Sequence, residues 1–428
     1  MKSEMNNGVP VTQVDILIVG AGPAGLAAAI AAKEAGVDSL IVLEREDNAG
    51  GILRQCIHNG FGLHRFKEEL TGPEYAQRDI DKAAEMGIDV RTGVTVLSVD
   101  PDKTVTAISR KWGLQVFKAK AVVLAMGCRE RPRGALAIPG TRCAGIYSAG
   151  TAQKFVNLEG YMPGRRVVIL GSGDIGLIMA RRMTLQGAKV LACVELMPYS
   201  SGLNRNIVQC LQDYNIPLYL SHTVVDIQGR ERVTGVTVAK VDENRRPIPG
   251  TEIQFDCDTL LLSVGLIPEN ELTIGAGVQM SPLTNGAVVD DCLQTSVPGV
   301  FACGNVLHVH DLVDHVSNES FRAGHAAAAY ARGQLAEGET LRVMDGDGVR
   351  GTVPQRIRKG ASQPVDLMFR PSGVFRKASC VVECNGREIA RKKAPIFTPG
   401  EMAVVTLKPE TVAALDGDVT VRIERSEA

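Results

Sequence analysis

The stretch DILIVGAGPAGLAAAIAAKEAGVDSLIVLE, residues 15–44, decides the fold of this chain. It has the pattern of an apolar strand, a G-x-G-x-x-G turn, an alanine-rich helix and a second apolar strand that ends in a glutamate. The run at 16–32 is short for a membrane span and is interrupted by three glycines and a proline. The pattern therefore predicts a βαβ unit that binds a dinucleotide at its first turn.

The same pattern returns in RVVILGSGDIGLIMARRMTLQGAKVLACVE, residues 166–195, with equal spacing and little shared sequence. In each copy the first glycine makes the tight turn, the second lets a pyrophosphate approach the backbone, and the third lets the helix pack on its strand. The closing residues Glu44 and Glu195 each predict a hydrogen bond to a ribose diol. One such motif also occurs where a helix merely packs closely on a strand, but two complete copies predict two dinucleotide sites.

The segments around the second copy predict the rest of two α/β sheets. Three alternating segments over residues 91–120 predict a β-meander, and AVVLAMG at 121–127 predicts a short strand that ends at a glycine. DTLLLSVG at 258–265 has the same form after the second copy. VPGVFACGNV at 297–306 predicts one more strand, before an alanine-rich helix that we expect to begin near Ser317.

The last part of the chain changes character. Polar and apolar residues alternate there, and Asn385-Gly386 is a hairpin-turn signal between SCVVEC and REIARK. This pattern predicts a small all-β domain over residues 345–428.

The composition is that of an ordinary globular protein, with 47 basic residues, 48 acidic residues and a net charge of −1. This balance gives no electrostatic reason to expect a nucleic acid or an anionic membrane as a partner. The polar N-terminus shows no signal-peptide pattern, and the ten cysteines include no CxxC and no zinc or iron–sulfur spacing. We therefore expect reduced thiols in a cytoplasmic protein that binds no metal.

Two dinucleotide motifs in this order resemble the pyridine nucleotide-disulfide oxidoreductase superfamily over about residues 12–335. The resemblance implies FAD at the first motif and NAD(P)H at the second. It also implies a discontinuous FAD-binding domain, 12–150 and 285–335, with an NAD(P)-binding domain, 151–284, inserted in it. The predicted fold class is thus α/β, with two Rossmann-like dinucleotide-binding domains and the small C-terminal all-β domain.

Three stretches resemble one subgroup more narrowly: GGILRQCIHNGFGL, GCRERPRGALAIPGTRCAGIYSAGTAQ and CGNVLHVHDLVDHVSNES. The subgroup consists of FAD-dependent oxidoreductases encoded beside glycerol-3-phosphate dehydrogenase-type flavoproteins. They are similar to the α subunits of sarcosine oxidase, dye-linked proline dehydrogenase and opine oxidase. The resemblance implies electron transfer between NAD(H), FAD and a partner flavoprotein or iron–sulfur subunit of a dehydrogenase complex, in a homo- or hetero-oligomer.

The motif spacing and the resemblance together assign the candidate cofactor residues. Those for FAD are Gly20, Gly22, Pro23, Ala24, Gly25, Glu44, Arg45, Gly51, Ile52, Val94, Gly127, Gly304 and Asn305. Those for NAD are Gly171, Gly173, Asp174, Ile175, Glu195 and Gly265. Asn305 stands where the family has an aspartate near the ribityl chain, and its amide can still form hydrogen bonds there. The carboxylate of Glu195 favours the free 2′-hydroxyl of NAD over the phosphate of NADP.

Cys56, in GGILRQCIHNGFGLHRF at residues 50–66, raises the question of a redox disulfide. The superfamily's disulfide reductases carry cysteines two and seven positions after the second glycine of the pair, where this chain has Leu53 and His58. No second cysteine lies nearby in the sequence, so we expect this stretch to wrap the flavin. Cys56 and His58 are the candidate catalytic residues beside the ring, and the alternatives are a buried thiol and a plain polar contact.

The stretch HVHDLVDHV at residues 308–316 contains histidines and carboxylates, which can bind a metal. We expect no metal there, and instead a cluster that lines the flavin, docks a partner or is internally hydrogen-bonded. By the same resemblance, the N-terminus of the next helix faces the pyrimidine edge of the flavin, where the helix stabilises negative charge. Three other functions stay open: a thiol-dependent NADH oxidase or disulfide reductase that uses Cys56, a non-catalytic nucleotide-binding scaffold, and direct dehydrogenation of an amine or polyol at this chain's own flavin.

Overall fold

A computed structural model describes residues 5–6, 8–335 and 338–425. The chain folds as two compact units, the larger formed by Met1–Cys128 with Pro268–Ala428 and the smaller by Arg129–Ile267. Each unit contains its own Rossmann-like sheet with one of the two repeated motifs, so the predicted α/β fold class is confirmed. Within the described residues, no helix combines the length and the apolar character that a membrane span requires.

The first part of the larger unit forms most of its main sheet. Its elements are β1 (Met5–Asn6), β2 (Val9–Val19), α1 (Pro23–Glu34), β3 (Leu40–Leu43), β4 (Asn59–Phe61), β5 (Leu70–Thr71), α2 (Gly72–Glu85), β6 (Asp89–Arg91), β7 (Val94–Val99), β8 (Thr104–Ser109) and β9 (Gly113–Leu124). The strand order is β6–β3–β2–β9–β8–β7. Because β2 and β3 are parallel and α1 connects them, the first motif is a βαβ unit as predicted.

Strand β9 is longer than the sequence pattern suggested. It pairs with β8 in antiparallel fashion over its first half and with β2 in parallel as far as Leu124. The separate strand predicted at 121–127 is therefore wrong, because residues 121–124 belong to the second half of β9 and residues 125–127 follow it. The chain makes no turn between the meander and this segment. Strand β8 pairs with β9 only as far as Lys118, and beyond that point Val300–Ala302 pairs with β9 instead.

The smaller unit repeats this arrangement around the second motif. Its elements, with the two short strands at its borders, are β10 (Cys128–Glu130), β11 (Ile146–Ser148), α3 (Ala149–Lys154), β12 (Arg166–Leu170), α4 (Asp174–Leu185), β13 (Lys189–Glu195), α5 (Asn204–Cys210), β14 (Leu218–Leu220), β15 (His222–Gly229), β16 (Val233–Lys240), β17 (Ile253–Phe255), β18 (Thr259–Leu262) and β19 (Leu266–Pro268). A parallel sheet has the order β11–β18–β12–β13–β14, and β15, β16 and β17 form an antiparallel sheet.

The larger unit resumes with α6 (Glu271–Gly275), β20 (Val300–Ala302) and α7 (Val313–Ala331). Helix α7 packs so closely on α1 that a Cβ on Gly324 would lie 2.2 Å from the carbonyl oxygen of Ala28. The expected start near Ser317 is wrong, because α7 begins at Val313. Its first turn is fixed by burial of Asp314 and Val316, and the Ser317 hydroxyl bonds to Tyr75 instead of capping the helix.

The C-terminal part of the larger unit consists of two further sheets. Its elements are β21 (Thr340–Asp345), β22 (Val349–Val353), β23 (Arg356–Arg358), β24 (Val365–Pro371), β25 (Phe375–Cys384), β26 (Arg387–Phe397), β27 (Ala403–Leu407), α8 (Pro409–Ala413) and β28 (Val419–Arg425). The sheet orders are β23–β21–β28–β25–β26 and β22–β24–β27. Asn385 and Gly386 form the predicted hairpin turn, with φ values of +50° and +76°. The short helix α8 is an addition to the all-β pattern expected there.

Candidate functional site

Two of the three glycines in each motif are required by the packing of the protein itself. A Cβ on Gly20 would lie 2.5 Å from the carbonyl oxygen of Ala125, and one on Gly25 would lie 1.8 Å from that of Gly20. In the second motif, a Cβ on Gly171 would lie 1.9 Å from the carbonyl oxygen of Ser263. These glycines let the loop and its helix approach the sheet, so they report on the fold and not on a ligand.

The middle glycine of each motif has no such internal reason. Gly22 and Gly173 have ordinary φ values of −74° and −67°. The nearest atoms to a Cβ at these positions are the Cα of Gly51 at 3.9 Å and the Oγ of Ser201 at 3.7 Å. Neither the backbone conformation nor packing demands glycine here, so the backbone is open to the close approach of a ligand. The residues present therefore fit a pyrophosphate at both turns.

The helix that follows each turn presents its N-terminus to the same place. Helix α1 has no side-chain cap and no acidic residue in its first turn, so its positive end is available to a phosphate. Helix α4 begins with Asp174, but that carboxylate accepts hydrogen bonds from Leu203 N at 2.8 Å and Asn206 Nδ2 at 2.7 Å. The predicted cofactor residue Asp174 thus fixes the start of α5 through at least one of its oxygens. Ile175 is half-buried beside it.

The two closing glutamates occupy equivalent positions. Glu44 Oε2 accepts a hydrogen bond from Ala21 N at 2.8 Å, and Glu195 Oε2 accepts one from Ser172 N at 2.9 Å. Ala21 and Ser172 both follow the first glycine of their motif. Each carboxylate therefore ties the tip of its own strand to its own glycine loop. A carboxylate has about four lone-pair positions, so both retain capacity for the hydroxyls of a ribose.

The Gly50-Gly51 pair passes directly over the first glycine loop. Gly50 N donates to Ala21 O at 2.8 Å, and a Cβ on Gly51, which has a φ of +56°, would lie 2.9 Å from the Cα of Gly22. The next residue, Ile52, lies in the 3₁₀ turn Gly51–Gln55 and exposes 59% of its surface. This geometry is what a segment wrapped around a cofactor requires.

Cys56 and His58 lie just beyond that turn, and neither is arranged for disulfide chemistry. All ten cysteines lie in the part of the chain that the structure describes, and none of them forms a disulfide. Cys56 Sγ donates to Ile52 O at 3.3 Å, and burial raises the pKa of this thiol to about 12. His58 Nδ1 contacts Asn59 O at 3.0 Å, and its ring lies 4.9 Å from that of Phe61. The thiol is therefore protonated at neutral pH and a poor nucleophile.

The other predicted cofactor residues have mixed surroundings. Gly127 and Gly265 follow β9 and β18 with φ values of +72° and +101°, and each has open space in its Cβ direction. Arg45 is exposed directly after Glu44. The side chain of Val94 is in the hydrophobic core, so only its backbone could contact a cofactor.

Gly304 and Asn305 begin the loop that follows β20. A Cβ on Gly304 would lie 2.7 Å from the Cβ of Ala24, which places this loop against the first turn of α1. Asn305 Oδ1 accepts a hydrogen bond from His310 N at 3.0 Å, and its Nδ2 contacts Cys128 Sγ at 3.6 Å. The amide thus organises the loop, and its predicted contact with a ribityl hydroxyl stays a prediction.

Two histidines of this loop form a buried cluster with Glu319 of α7, and we call His308, His310 and Glu319 the His–Glu–His cluster. His308 Nε2 lies 2.6 Å from Glu319 Oε2, and His310 Nε2 lies 3.3 Å from Glu319 Oε1. The exposed fractions of the three side chains are 5%, 0% and 1%. Glu319 Oε1 also accepts a hydrogen bond from Gly304 N at 2.7 Å. One carboxylate therefore joins both histidines to the start of the loop.

The charges of this cluster follow from its burial. Burial alone would raise the pKa of Glu319, but the two imidazoles outweigh it and hold the pKa below its usual range. Burial lowers the pKa of His310, against the opposing effect of Glu319. His310 Nδ1 is buried without a hydrogen-bond partner, which fits a neutral ring that donates from Nε2.

The sequence analysis singled out both histidines but missed Glu319. Its position in the helix could have indicated a buried side chain. Glu319 lies three residues after Val316 and four before Ala323, so it shares the buried face of α7 with both. A glutamate on the buried side of a helix calls for a charged or hydrogen-bonding partner. The donor atoms of the three residues lie within 4.8 Å of one another and could hold a metal ion, but their mutual hydrogen bonds already satisfy the carboxylate.

The remaining acidic and histidine residues of HVHDLVDHV have other partners. Asp314 is buried and accepts a hydrogen bond from Arg65 N at 3.2 Å, and the ring of His315 lies 6.0 Å from that of His64. Asp311 accepts hydrogen bonds from Arg370 and Met402 of the C-terminal sheets. The residues of this stretch therefore belong to three groups of contacts: the His–Glu–His cluster, the contacts with residues 64 and 65, and the contacts of Asp311 with residues 370 and 402.

The chain is similar to several oxidoreductases of known identity. Thioredoxin reductase from Mycolicibacterium smegmatis is 28% identical over 332 residues, which cover 76% of this chain and 97% of the relative. The small chain of glutamate synthase from Mycobacterium tuberculosis is 28% identical over 364 residues, covering 76% and 68%. One opine oxidase subunit from Agrobacterium tumefaciens is 24% identical over 312 residues, covering 68% and 61%.

Solved structures and a family model agree with these relatives. Thioredoxin reductase from T. acidophilum has a TM-score of 0.62 and 27% identity, and covers 75% of this chain and 99% of its own. L-proline dehydrogenase from P. horikoshii shares the fold, with a TM-score of 0.53, 19% identity and coverage of 78% and 59%. The model of the pyridine nucleotide-disulphide oxidoreductases matches residues 14–333. This confirms the predicted oxidoreductase activity and the FAD and nicotinamide cofactors, and the chain belongs to the pyridine nucleotide-disulphide oxidoreductase family.

Proposed function

We propose that this chain binds FAD at the Gly20–Gly25 loop and NAD(H) at the Gly171–Gly176 loop, and passes electrons between them and a partner redox subunit. The FAD-binding domain is proposed at 12–150 and 285–335, and the NAD-binding domain at 151–284. Bound FAD supplies a ring that exchanges a hydride with nicotinamide and exchanges one or two electrons with other redox centres. The partner is a flavoprotein or an iron–sulfur protein of a dehydrogenase complex of the glycerol-3-phosphate or amine and imino-acid type.

The proposal depends on two glycine loops that are open to a dinucleotide, in a chain whose described cysteines form no disulfide. Both middle glycines leave the backbone open to a ligand, while Cys56 forms no disulfide and has a strongly raised pKa. A disulfide reductase of this family passes electrons through a cysteine pair. With no disulfide among these cysteines, electrons that enter from a nicotinamide pass from the flavin to an acceptor outside the chain.

The relatives support a partner protein. The opine oxidase relative, hydrogen cyanide synthase subunit HcnB and the glutamate synthase small chain are all named as components of larger enzymes. The chain covers 61% of the length of the first of these and 65% of the second, so its own complex and substrate are proposals.

Glu195 supports NAD over NADP. Its carboxylate is 7% exposed and is fixed by Ser172 N and Oγ and by Met197 N. This position at the end of the second strand is where a ribose 2′-hydroxyl is bound in a Rossmann unit, and a phosphate there would meet a fixed negative charge.

The test is an anaerobic titration of the purified, FAD-loaded chain with NADH. We expect one NADH per flavin to bleach the flavin absorbance, and we expect the colour to return when a candidate partner protein is added. Loss of NADH-driven turnover with a small disulfide in Cys56→Ala would instead support the thiol-dependent oxidase or reductase. A chain that binds no flavin, or a flavin that NADH does not bleach, would contradict the proposal and favour the scaffold.

A further inference from the structure

The C-terminal sheets have no assigned role. The family model ends at residue 333, and the thioredoxin reductase from T. acidophilum is covered almost completely by 75% of this chain. Nevertheless, residues 340–425 fold as part of the same compact unit as the first glycine motif. Their contacts with that unit therefore indicate what they add to it.

One of these contacts joins β24 to the loop after β20. Arg370 Nη1 and Nη2 donate to the two carboxylate oxygens of Asp311 at 3.0 and 2.5 Å. Arg370 Nη2 also donates to Val309 O at 3.1 Å, and Nη1 donates to Gly400 O at 2.9 Å. Asp311 accepts a further hydrogen bond from Met402 N at 2.7 Å. A bidentate guanidinium pair with added backbone contacts fixes distance and orientation together.

The loop held in this way contains both histidines of the His–Glu–His cluster. Val309 lies between them, and His310 directly precedes Asp311. Arg370 binds the backbone carbonyl of Val309 and the side chain of Asp311, so it holds the residue before His310 and the residue after it. The imidazoles of the cluster can then meet Glu319, whose other contact is Gly304 N.

This set of contacts ends at the first glycine motif. Gly304 is packed against Ala24, with room for no side chain between them. Ala24 belongs to the first turn of α1, whose N–H groups face the proposed pyrophosphate site. A continuous series of polar and packing contacts thus runs from Arg370 to the FAD site.

The C-terminal sheets are anchored to the main sheet independently of this loop. Arg358 binds Asp291 through its backbone N at 2.8 Å and Nη2 at 2.9 Å, and Gln355 Oε1 accepts from Val289 N at 2.9 Å. The buried Val353 is part of the core of the main sheet. The C-terminal sheets are therefore a fixed support against which the loop can be held.

We propose that the C-terminal sheets position the flavin-side loop, residues 304–312, and that Arg370 is the positioning residue that acts through Asp311 and Val309. This inference rests on the FAD site of the proposed function. It assigns to the region beyond residue 333 a part in cofactor binding that the family model does not contain.

The experiment compares Arg370→Met, Asp311→Asn and the double variant with the wild-type chain. Arg350→Met is the matched control, because Arg350 is exposed and lies directly opposite Arg370 on the neighbouring strand. Hydrogen exchange of the FAD-free chain, read by mass spectrometry, reports on the loop, and fluorescence quenching gives the dissociation constant for FAD. Arg370→Lys tests whether a single charge can replace the bidentate fork.

We expect Arg370→Met to speed exchange in peptides that cover 304–312 by at least about fivefold and to weaken FAD binding by about tenfold. Exchange in β25 and β28 should stay unchanged, which separates a positioning role from loss of the C-terminal fold. The double variant should be no worse than either single one, since both remove the same contact. Arg370→Lys should recover part of the FAD affinity.

Unchanged exchange in the loop, or equal effects of Arg370→Met and Arg350→Met, would overturn the inference. The exchange measurement needs no cofactor, so it stands even where FAD does not bind. A wild-type chain without FAD affinity would refute the proposed function and not the support of the loop. Additive losses in the double variant would show that Arg370 and Asp311 act separately.

Discussion

A Cβ on Gly22 would have no closer neighbour than the Cα of Gly51, at 3.9 Å. The protein therefore has room for alanine at position 22, and its φ of −74° suits any residue. We predict that Gly22→Ala leaves the free energy of unfolding within about 1 kcal/mol of wild type, because no native contact is disturbed. FAD binding should weaken by at least about tenfold, because the added methyl group stands where the pyrophosphate must approach the backbone.

The control for this prediction is Gly25→Ala in the same loop. Its Cβ would lie 1.8 Å from the carbonyl oxygen of Gly20, so this variant should lose folding stability first. Chemical unfolding of the FAD-free chain and titration with FAD separate the two effects. A Gly22→Ala chain with wild-type FAD affinity would show that the middle glycine does not face the cofactor.

A second prediction concerns the choice between NADH and NADPH. Glu195→Gln removes the negative charge but keeps an oxygen for Ser172 N. The ratio of kcat/KM for NADH to that for NADPH should fall by at least about tenfold, since unit charges 4 Å apart near a surface interact by about 4 kcal/mol. Steady-state kinetics with both nucleotides measures this ratio.

The matched control is Glu44→Gln, which makes the same change in the first motif. It occupies the equivalent position and binds Ala21 N in the same way, so it should alter FAD binding and leave the nucleotide ratio unchanged. An unchanged ratio in Glu195→Gln would mean that other residues select the nicotinamide cofactor.

The repeated motif predicted its own geometry well because that geometry is local. The tight turns at Gly20 and Gly171 and the positions of Glu44 and Glu195 depend on spacing within 30 residues. The same holds for the hairpin at Asn385, where two adjacent residues must adopt positive φ. Backbone demands of this kind are visible in residue type alone.

Glu319 could not be predicted in the same way because its partners come from tertiary packing. His308 and His310 are in a loop, and only the start of α7 at Val313 brings Glu319 back towards them. We expected that start near Ser317, because the alanine-rich part of the helix lies further along the chain and the burial of Asp314 is not visible in the sequence. Strand β9 was divided wrongly for a similar reason, since its neighbour changes from β8 to β20 partway along.

A third prediction tests the energetic weight of the His–Glu–His cluster. Glu319→Gln leaves a donor facing imidazole N–H groups in a site that is almost fully buried. We expect the free energy of unfolding at pH 7 to fall by about 3 kcal/mol, because the glutamine oxygen can accept from only one imidazole and a hydrogen bond to a charged group contributes about 1.5–3 kcal/mol. Urea unfolding monitored by circular dichroism measures the change.

His325→Gln is the control, because His325 is exposed on the same helix and should change stability by less than about 0.5 kcal/mol. The pKa of Glu319 lies below its ordinary value, so its stabilising effect is present above pH 4.5 and is lost as the pH falls through the folded-state pKa. The difference between wild type and Glu319→Gln should therefore narrow only in acid. A difference of less than 1 kcal/mol at pH 7 would mean that the cluster contributes little to folding.

A fourth prediction concerns stability in mild acid. Burial lowers the pKa of His310 below its ordinary value of 6.5, so the unfolded chain binds a proton there that the folded chain does not. Glu319, His308 and Asp311 face this imidazole, and burial also lowers the pKa of the nearby His315. Stability should consequently fall as the pH drops below 6.5, by at most about 1.4 kcal/mol per pH unit for each such proton.

Unfolding curves between pH 7.5 and 5.5 for wild type and His310→Gln check this point. The variant should show a shallower fall, with the remaining slope due to His315 and other groups. His325→Gln should keep the wild-type slope. A steeper fall in His310→Gln would reverse the assigned direction and indicate that the folded cluster takes up a proton at His310.

The last prediction concerns Cys56 and the path of electrons. Burial raises the pKa of its thiol to about 12, so the thiolate that disulfide exchange requires is almost absent at neutral pH. We predict that Cys56→Ala keeps the rate of flavin reduction by NADH within about twofold of wild type, because hydride transfer between two cofactors needs no thiol. Stopped-flow absorbance of the FAD-loaded chain measures this rate.

Iodoacetamide labelling provides an independent control on the same residue. At pH 7.5 the peptide that contains Cys56 should remain unmodified in the folded chain, and all ten cysteines should react after denaturation. Rapid labelling of Cys56, together with a loss of more than about a hundredfold in flavin reduction by Cys56→Ala, would establish a reactive thiol beside the ring. Electrons would then leave through sulfur, and a partner protein would no longer be needed to accept them.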